Sequence, residues 1–271
     1  MSCFSCPVCG RPLTDTASGL CCQQGHSFDR SRAGYVNLLR SQQSSLKRHG
    51  DDKRMLIARR DFLNRGHYAP LRDALCEAVQ AIAPAQGLLA DAGCGEGYYT
   101  AHLASRLPRL TVCGIDISKD ALRMAASRHR DMELAVASVF ALPLASRSTD
   151  VLLSVFAPTA DAEFARVVKP QGYLVRVIPT ARHLYGLKAA IYDQVRLNKP
   201  ERTDIDGFKL CKREELALDL TLSDPDDIRH LFEMTPYYYK TGIADQQRLL
   251  ALASLSTELG FAILTYQKIS G

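Results

Sequence analysis

Four residues near the N-terminus have the types and the spacing of a metal site. Two cysteines three positions apart are followed by a cysteine and a histidine in the pattern C-x2-C-x12-C-x3-H. Close-set thiolates can bind one ion together, and three sulfurs with one imidazole form a set that tetrahedral structural zinc uses. The predicted ligands of one structural zinc, with no open coordination position, are Cys6, Cys9, Cys22 and His26. Cys21 is the alternative third thiolate, and buried free cysteines are the alternative without metal.

A glycine-rich segment further along the chain has the spacing of a cofactor-binding loop. Residues 91–97 read DAGCGEG, with glycines at alternate positions that let the backbone approach a ligand at the start of the next helix. The third glycine comes one residue too early for the dinucleotide pattern G-x-G-x-x-G. The spacing resembles instead the first motif of class I S-adenosylmethionine-dependent methyltransferases. A structural glycine turn without a cofactor is the alternative.

Two later segments support a cofactor site. Asp116 ends the predicted strand GIDIS, where a carboxylate can accept both ribose hydroxyls, and Ser138 and Val139 end the following strand, where that fold seats the adenine. The residues expected at the cofactor from these segments are Asp91, Gly93, Gly95, Glu96, Gly97, Tyr98, Tyr99, Asp116 and Ser138.

The residues at the end of the fourth predicted strand limit which methyl acceptors are possible. Methyltransferases of exocyclic amines usually carry an acidic or amide residue there, and cytosine C5 enzymes need a nucleophilic cysteine. The segment Phe156-Ala157-Pro158 has neither. Ring nitrogens, oxygens and small molecules remain as methyl acceptors, and the sequence assigns no residue as the proton acceptor.

Basic residues in the first quarter of the chain suit a nucleic-acid partner. Residues 1–66 contain 11 Lys and Arg against 5 Asp and Glu, whereas residues 67–271 contain 23 against 24. This asymmetry fits nucleic acid or a solvated surface. Residues 40–50 read as a linker or a loop that orders on a partner, and Asp51 or Asp52 can cap a helix after it. That helix carries three predicted RNA contacts, Arg54, Arg59 and Arg60.

A second candidate RNA-binding segment lies late in the chain. Tyr237, Tyr238 and Tyr239 stand next to Lys240 in the segment LFEMTPYYYKTG. Three aromatic rings beside a cation suit an unstacked base and its phosphate. The alternative is that the tyrosines begin a strand with one side in the core.

The elements that must position these residues follow an α/β pattern. From about residue 69, predicted helices and short apolar strands alternate, which indicates a doubly wound, mostly parallel, Rossmann-like sheet. We therefore expect a zinc-binding module at residues 1–38, a basic linker and helix at 39–66, and a methyltransferase domain at 67–271. Hydrophobic residues make up 46% and charged residues 23% of the 271 residues, which is globular.

The sequence also predicts the cell compartment. No apolar run approaches the roughly 20 residues needed to span a bilayer, and the polar, cysteine-rich N-terminus does not read as a signal peptide. Cysteines clustered at close spacing fit metal in a reducing compartment better than a disulfide framework. We expect a cytoplasmic protein without a membrane partner.

Several segments together resemble one family, the bacterial 23S ribosomal RNA guanine-N1-methyltransferases. They are CPVCG, CQQGHSFDRSRAGYVNLL, ARRDFLNRGHYAPL, DAGCGEGYYT, EFARVVKPQG, RHLYGLK and MTPYYYK, in one order along nearly the whole chain. The resemblance implies that S-adenosylmethionine methylates a guanine in a hairpin loop of 23S ribosomal RNA, that the enzyme is a homodimer, and that its metal is zinc. It also implies that Tyr68 and His183 contact the cofactor. Gln171 departs from the usual glycine of this turn.

Two other functions stay open from the sequence. A small-molecule methyltransferase, for example of a quinone type, could carry the zinc module for assembly. A non-catalytic RNA-binding protein could keep the fold, although the intact glycine loop and Asp116 argue against it.

Overall fold

The computed structural model of the chain describes residues 2–39 and 52–269. The predicted linker at residues 40–50, and Asp51 as an alternative helix cap, lie outside these ranges.

A small antiparallel sheet forms the N-terminal part of the structure. Its three strands, in the order β1-β2-β3, are β1 Leu13–Asp15, β2 Gly19–Cys22 and β3 Ser27–Asp29. These strands and the segment before them bury few large apolar side chains, chiefly Phe4, Leu13 and Leu20. A sheet of this size has little apolar core of its own, so we expect metal binding to contribute to its folding.

A mixed sheet of eight strands forms the body of the molecule. Its order is β10-β11-β9-β8-β5-β6-β7-β4; the run from β9 to β4 is parallel, and β11 is antiparallel to both β9 and β10. The strands are β4 Val36–Asn37, β5 Gly87–Ala92, β6 Leu110–Asp116, β7 Glu133–Val136, β8 Thr149–Val155, β9 Val168–Pro179, β10 Phe208–Leu222 and β11 Leu255–Lys268. This arrangement confirms the predicted doubly wound α/β fold.

Helices lie on both faces of the large sheet, as the buried, near-continuous apolar strands require. They are α1 Lys53–Asn64, α2 Ala69–Gln80, α3 Tyr98–Arg106, α4 Lys119–Ala126, α5 Asp161–Val167, α6 Tyr185–Ile191, α7 Pro225–Glu233 and α8 Ile243–Leu250. The Asp52 carboxylate accepts a hydrogen bond from the Met55 backbone N–H at 2.9 Å, so Asp52 caps α1. Within the described ranges, every helix is too short or too polar to cross a bilayer.

The structure contains one strand that the sequence did not predict and rules out one alternative that it left open. Strand β10 has no predicted counterpart, because one of its faces is charged and exposed and its leucines at alternate positions are only half buried. The three tyrosines do not begin a strand; they follow α7 into a 3-10 turn at Tyr238–Lys240.

The N-terminal sheet shares a core with the large sheet. Phe4 and Leu13 belong to the same buried cluster as Ala135 of β7 and Leu142. The Ser5 backbone N–H also donates to the Pro143 carbonyl at 2.8 Å. The chain then adds β4 to the edge of the large sheet beside β7. The two sheets are therefore packed together, and the division into three segments stays a prediction.

Gly186 in α6 lies against β11 with no room for a side chain. A Cβ atom there would sit 2.0 Å from the Ser256 carbonyl oxygen. We expect Gly186→Ala to lower the free energy of unfolding by about 3 kcal/mol, because the obstructing atom is backbone. Gly242→Ala is the matched control, since its Cβ would meet nothing closer than 3.9 Å and its φ is −65°. Denaturant unfolding measures both, and equal losses in the two variants would contradict this account.

Candidate active site and zinc centre

The four predicted zinc ligands come together in the N-terminal sheet. The ligand atoms of Cys6, Cys9, Cys22 and His26 all lie within 4.8 Å of one another. The Sγ atoms of Cys9 and Cys22 are 3.7 Å apart, and Nδ1 of His26 lies 3.3 Å from Cys22 Sγ and 3.6 Å from Cys6 Sγ. A tetrahedral zinc with ordinary bond lengths separates two sulfurs by about 3.8 Å and a sulfur from a nitrogen by about 3.5 Å. The donor set therefore fits zinc.

The choice between the adjacent cysteines follows from strand geometry. Successive residues of a strand point to opposite faces, and Cys21 Sγ lies 3.8 Å from the Thr14 hydroxyl, outside the cluster. Burial acts to raise the pKa of Cys22. Hydrogen bonds from the backbone N–H groups of Gln24 and His26 and from the His26 imidazole outweigh this effect and lower the pKa of Cys22 to about 6. Cys22 therefore has the thiolate character that a zinc ligand needs.

The glycine loop joins the carboxyl end of β5 to the start of α3. Gly93, Gly95 and Gly97 all have φ between +55° and +90°, a region that favours glycine. A Cβ would lie 2.6 Å from Ala157 Cβ at Gly93 and 2.9 Å from Ala125 Cβ at Gly97, whereas at Gly95 it would meet nothing within 4 Å. The outer two glycines thus allow close packing, and Gly95 leaves its backbone open to a ligand.

Asp116 at the end of β6 holds this loop in place. Its Oδ2 accepts a hydrogen bond from the Gly95 N–H at 2.9 Å, and its Oδ1 accepts one from the Ser118 N–H at 2.8 Å. A carboxylate has about four lone-pair sites, so Asp116 can accept further hydrogen bonds from a ligand. The neighbouring Ser138 hydroxyl accepts from the Phe140 N–H at 3.2 Å and so fixes the turn after β7.

A cavity of about 920 Å³ opens above the glycine loop. The predicted cofactor residues that line it are Tyr68, Asp91, Gly93, Gly95, Glu96, Tyr98, Tyr99, Asp116, Ser138 and His183. Gly97 is absent from the wall because it packs against Ala125. Arg59 is the one predicted RNA contact that lines the cavity.

Two buried carboxylates lie in the cavity wall. Asp91 is 1% exposed; its Oδ2 accepts from the Thr100 hydroxyl at 2.5 Å, and its Oδ1 has no hydrogen-bond partner among the described residues. Burial raises the pKa of Asp91 to about 6. Glu96 pairs with Arg128 at 2.6 Å, and burial raises its pKa against the opposing effect of that guanidinium. The unpartnered Asp91 oxygen suits a cationic ligand group.

His183 lines the cavity as a neutral ring. Its Nδ1 accepts a hydrogen bond from the Gly260 backbone N–H at 3.3 Å, so the proton of the neutral ring resides on Nε2. Burial, together with the charge of Lys188, lowers the pKa of His183 to about 3. The Phe261 ring packs 4.9 Å from it and the Tyr68 ring 6.5 Å, between centroids. His183 can donate a hydrogen bond, but it is a poor base.

Two phenylalanines that the sequence did not assign to the cofactor or the RNA complete the cavity. Phe140 is 62% exposed and Phe156 is 44% exposed, and both line the wall with Met234 and Pro236. Phe156 also has φ of +54°, which is uncommon for a residue with a side chain. The sequence placed Phe156 at the strand end that bears on the methyl acceptor, but only its φ and its exposure show that the ring faces the cavity.

Predicted RNA contacts on α1 and in the tyrosine turn touch each other. The Arg54 guanidinium donates to the Tyr238 hydroxyl and lies 5.5 Å from that ring centre, and the Tyr239 hydroxyl donates to Asp52. Tyr237 is half buried and Lys240 is exposed. Elsewhere on α1, Arg60 pairs with Asp61 at 2.8 Å. Helix α1 and the tyrosine turn therefore form one mixed basic and aromatic surface.

Comparisons with known proteins agree with both parts of the structure. A family model described as RlmA, N-terminal, a zinc ribbon, matches residues 4–47, and a methyltransferase domain model matches residues 89–172. A 23S rRNA (guanine(748)-N(1))-methyltransferase of Streptomyces fradiae is 38% identical over 238 residues, covering 85% of this chain and 84% of that protein. A provisionally named 23S rRNA (guanine-N(1)-)-methyltransferase of Bacillus subtilis is 35% identical over 253 residues, covering 87% of this chain and 86% of that protein.

The fold, the glycine loop and the zinc ribbon define a class I methyltransferase that uses S-adenosylmethionine and carries one structural zinc. A further relative from Micromonospora griseorubida, provisionally named in the same way, is 41% identical over 201 residues and covers 67% of each chain. The chain belongs to the 23S rRNA (guanine-N1)-methyltransferase family.

The two adjacent cysteines give a test of the zinc centre. We expect Cys22→Ser to lose the metal, because only its sulfur faces the other three ligand atoms, and Cys21→Ser to retain one zinc per chain. Metal content of the purified proteins by mass spectrometry distinguishes the two variants. Loss of zinc from Cys21→Ser with retention in Cys22→Ser would reverse the assignment.

Proposed function

We propose that the chain methylates N1 of a guanine in a hairpin loop of 23S ribosomal RNA, with S-adenosylmethionine as the methyl donor. The observation that carries the proposal is the cavity, whose 920 Å³ can take a cofactor over the glycine loop and a base beside it. Ligand cavities span about 300–1,000 Å³, so this one lies near the upper end of the range. The names of the family relatives supply the substrate class.

The cofactor would lie across the carboxyl ends of the strands. Asp116 would accept the ribose hydroxyls, the turn at Ser138 would hold the adenine, and the unpartnered Oδ1 of Asp91 would accept from the ammonium group. Tyr68 and His183 would contact the cofactor on the far side of the glycine loop. Bound there, S-adenosylmethionine supplies an electrophilic methyl group on its sulfonium. The protein then has to position the methyl group and the acceptor base, which can lower the reaction barrier substantially.

The acceptor base would stack at the end of β8. The Phe156 ring is partly exposed to the cavity, and its plane lies within 15° of the His183 ring plane. Stacking on an aromatic ring is worth about 1–3 kcal/mol per base. Guanine N1 carries a proton at neutral pH, and an acceptor must remove it. His183 is not this proton acceptor, because its Nδ1 already accepts a hydrogen bond from the Gly260 N–H and its pKa lies far below neutral.

The RNA would be held outside the cavity by the zinc ribbon and the α1 surface. Contacts from Arg54, Arg60 and Lys240 to phosphates would set affinity and register, and Tyr237–Tyr239 would face loop bases. A base in a hairpin loop is already unpaired, which reduces the cost of moving it into the cavity, normally a few kcal/mol.

The expected homodimer and cytoplasmic location belong to this proposal and derive from the family resemblance and the composition.

Methyl transfer to defined RNA tests the proposal. Zinc-loaded protein is incubated with labelled S-adenosylmethionine and unmodified 23S rRNA transcripts, and digested nucleosides are separated. We expect label in 1-methylguanosine, loss of the label with Asp116→Ala, and loss of transfer when one loop guanine is changed to adenine. Label in another nucleoside, or transfer that survives ribonuclease treatment of the substrate, would contradict the proposal and favour a small-molecule acceptor.

The pH dependence of cofactor binding tests the role of Asp91. Its carboxylate must be ionised to accept from an ammonium group, and burial raises its pKa to about 6. We therefore expect the affinity for S-adenosylmethionine to fall about tenfold as the pH drops from 7 to 5.

Two variants at this site serve as controls for the pH measurement. Asp91→Asn should bind more weakly at pH 7 and lose the dependence, while Thr100→Val should move the fall to higher pH by removing a hydrogen bond that lowers the Asp91 pKa. Calorimetric titration measures all three proteins. An unchanged pH dependence in Asp91→Asn would assign it to another group.

A further inference from the structure

A buried arginine lies outside the cavity, in strand β9. Arg176 is 3% exposed and does not line the cavity wall. One nitrogen of its guanidinium donates to the Thr159 hydroxyl at 2.7 Å, and another donates to the Arg202 carbonyl at 3.2 Å. The Glu201 carboxylate, whose side chain is 43% exposed, lies 3.6 Å away. Taking a charge out of water is costly unless it is well paired, so a buried guanidinium with these contacts calls for a function.

Thr159 belongs to the turn that carries Phe156 into the cavity. This acceptor turn, residues 156–159, lies between β8 and α5 and has no regular secondary structure. Its first residue, Phe156, donates its backbone N–H to the Val177 carbonyl at 3.1 Å, and its last residue, Thr159, accepts from Arg176. Both ends of the acceptor turn are therefore attached to consecutive residues of β9.

The acceptor turn needs support from outside the cavity. Phe156 has a φ of +54° and is 44% exposed, so packing around its own side chain is incomplete. Backbone in such a sparsely populated region persists only where the surrounding structure over-determines it. The middle of the turn lies on the glycine loop, since a Cβ at Gly93 would sit 2.6 Å from Ala157 Cβ. A shift of the turn would therefore move the Phe156 ring relative to the cofactor loop.

The other contacts of Arg176 lie in a segment that has further attachments. This connecting segment, residues 195–205, joins α6 to β10 without regular secondary structure. The Tyr266 hydroxyl donates to a carbonyl of the segment at 2.7 Å, and the Arg202 side chain pairs with Asp161 at the start of α5. Among the described residues, the hydroxyl of the acceptor turn is bound by Arg176 alone. The guanidinium therefore matters more to the acceptor turn than to the connecting segment.

We propose that Arg176 is a positioning residue for methyl transfer. Through Thr159 it fixes the acceptor turn, so that the Phe156 ring presents the acceptor base to the methyl group. A guanidinium suits this task because it is permanently charged and donates to several partners in a rigid geometry. Loss of the contact lets the turn shift, and a misplacement of about 1 Å can cost about 100-fold in rate. The inference rests on the acceptor site of the proposed function.

A double-mutant cycle on this one hydrogen bond tests the role. Zinc-loaded wild type, Arg176→Met, Thr159→Val and the double variant are compared for the rate of methyl transfer to 23S rRNA at saturating RNA and cofactor. Calorimetry measures their affinity for S-adenosylmethionine. We expect each single variant to lose about 10- to 100-fold in rate with unchanged cofactor affinity, and the double variant to lose no more than the larger single loss.

Two further variants are the controls. Thr159→Ser keeps the hydroxyl and should keep the wild-type rate. Arg202→Met is the matched arginine-to-methionine change, because it removes the ion pair of the connecting segment with Asp161 and leaves the Arg202 carbonyl and Thr159 in place. It should also transfer methyl groups at the wild-type rate.

A tryptophan at position 156 reports on the acceptor turn without any substrate. The chain contains no tryptophan, so Phe156→Trp introduces a single emitting residue. In this background, we expect acrylamide to quench the emission more strongly when Arg176→Met or Thr159→Val is added, and equally when Arg202→Met is added.

Three results would overturn the proposal. Losses that multiply in the double variant would mean that Arg176 and Thr159 act separately. An equal loss of rate in Arg202→Met would make Arg176 an attachment of the connecting segment only. Unchanged quenching in both Arg176→Met and Thr159→Val would show that the acceptor turn does not depend on their contact. Failure of methyl transfer to RNA by the wild type would instead reject the proposed function, and the quenching measurement would still decide whether Arg176 holds the turn.

Discussion

The hydrogen bond between the Gly95 N–H and the Asp116 carboxylate is the contact on which the site depends. It ties the glycine loop after β5 to the end of the neighbouring parallel strand β6, and the N–H groups of Gly93 and Cys94 reinforce it by donating to the Ile115 carbonyl. The loop can take this path because its glycines have positive φ and approach Ala157 and Ala125 closely. The cavity floor, the Asp116 oxygens and the start of α3 are therefore set by one short stretch of backbone.

Around that floor, burial decides what each polar group can do. Asp91 and Glu96 differ in their partners, a hydroxyl in one case and a guanidinium in the other, although both are almost completely buried. His183 receives a backbone N–H and lies among aromatic rings, so it stays neutral through the physiological range. The site thus combines fixed acidic groups with neutral donors, an arrangement suited to orienting a charged cofactor without a histidine base.

The sequence predicted the fold and ten of the residues that line the cavity, eight of them from local signals. Glycine spacing, an aspartate after a buried strand, and paired cysteines and a histidine follow from backbone geometry and metal coordination. Choosing between Cys21 and Cys22 as the zinc ligand required the alternation of side chains along β2. Recognising that the Phe156 ring faces the cavity required its φ and its exposure. The sequence did not predict strand β10, because its partner strand β11 lies more than thirty residues away and the outer face of β10 is polar. Arg59 looked like its neighbours Arg54 and Arg60 because the sequence does not show which side of α1 faces the cavity.

The shared core of the two sheets has a consequence for the cell. Phe4 and Leu13 pack with residues of the large sheet, and β4 covers the edge of β7. Ion binding that folds the ribbon therefore also stabilises the methyltransferase body, by mass action on the folded state. Scarce zinc would reduce the amount of intact enzyme through unfolding and degradation, so its abundance should follow the supply of the metal.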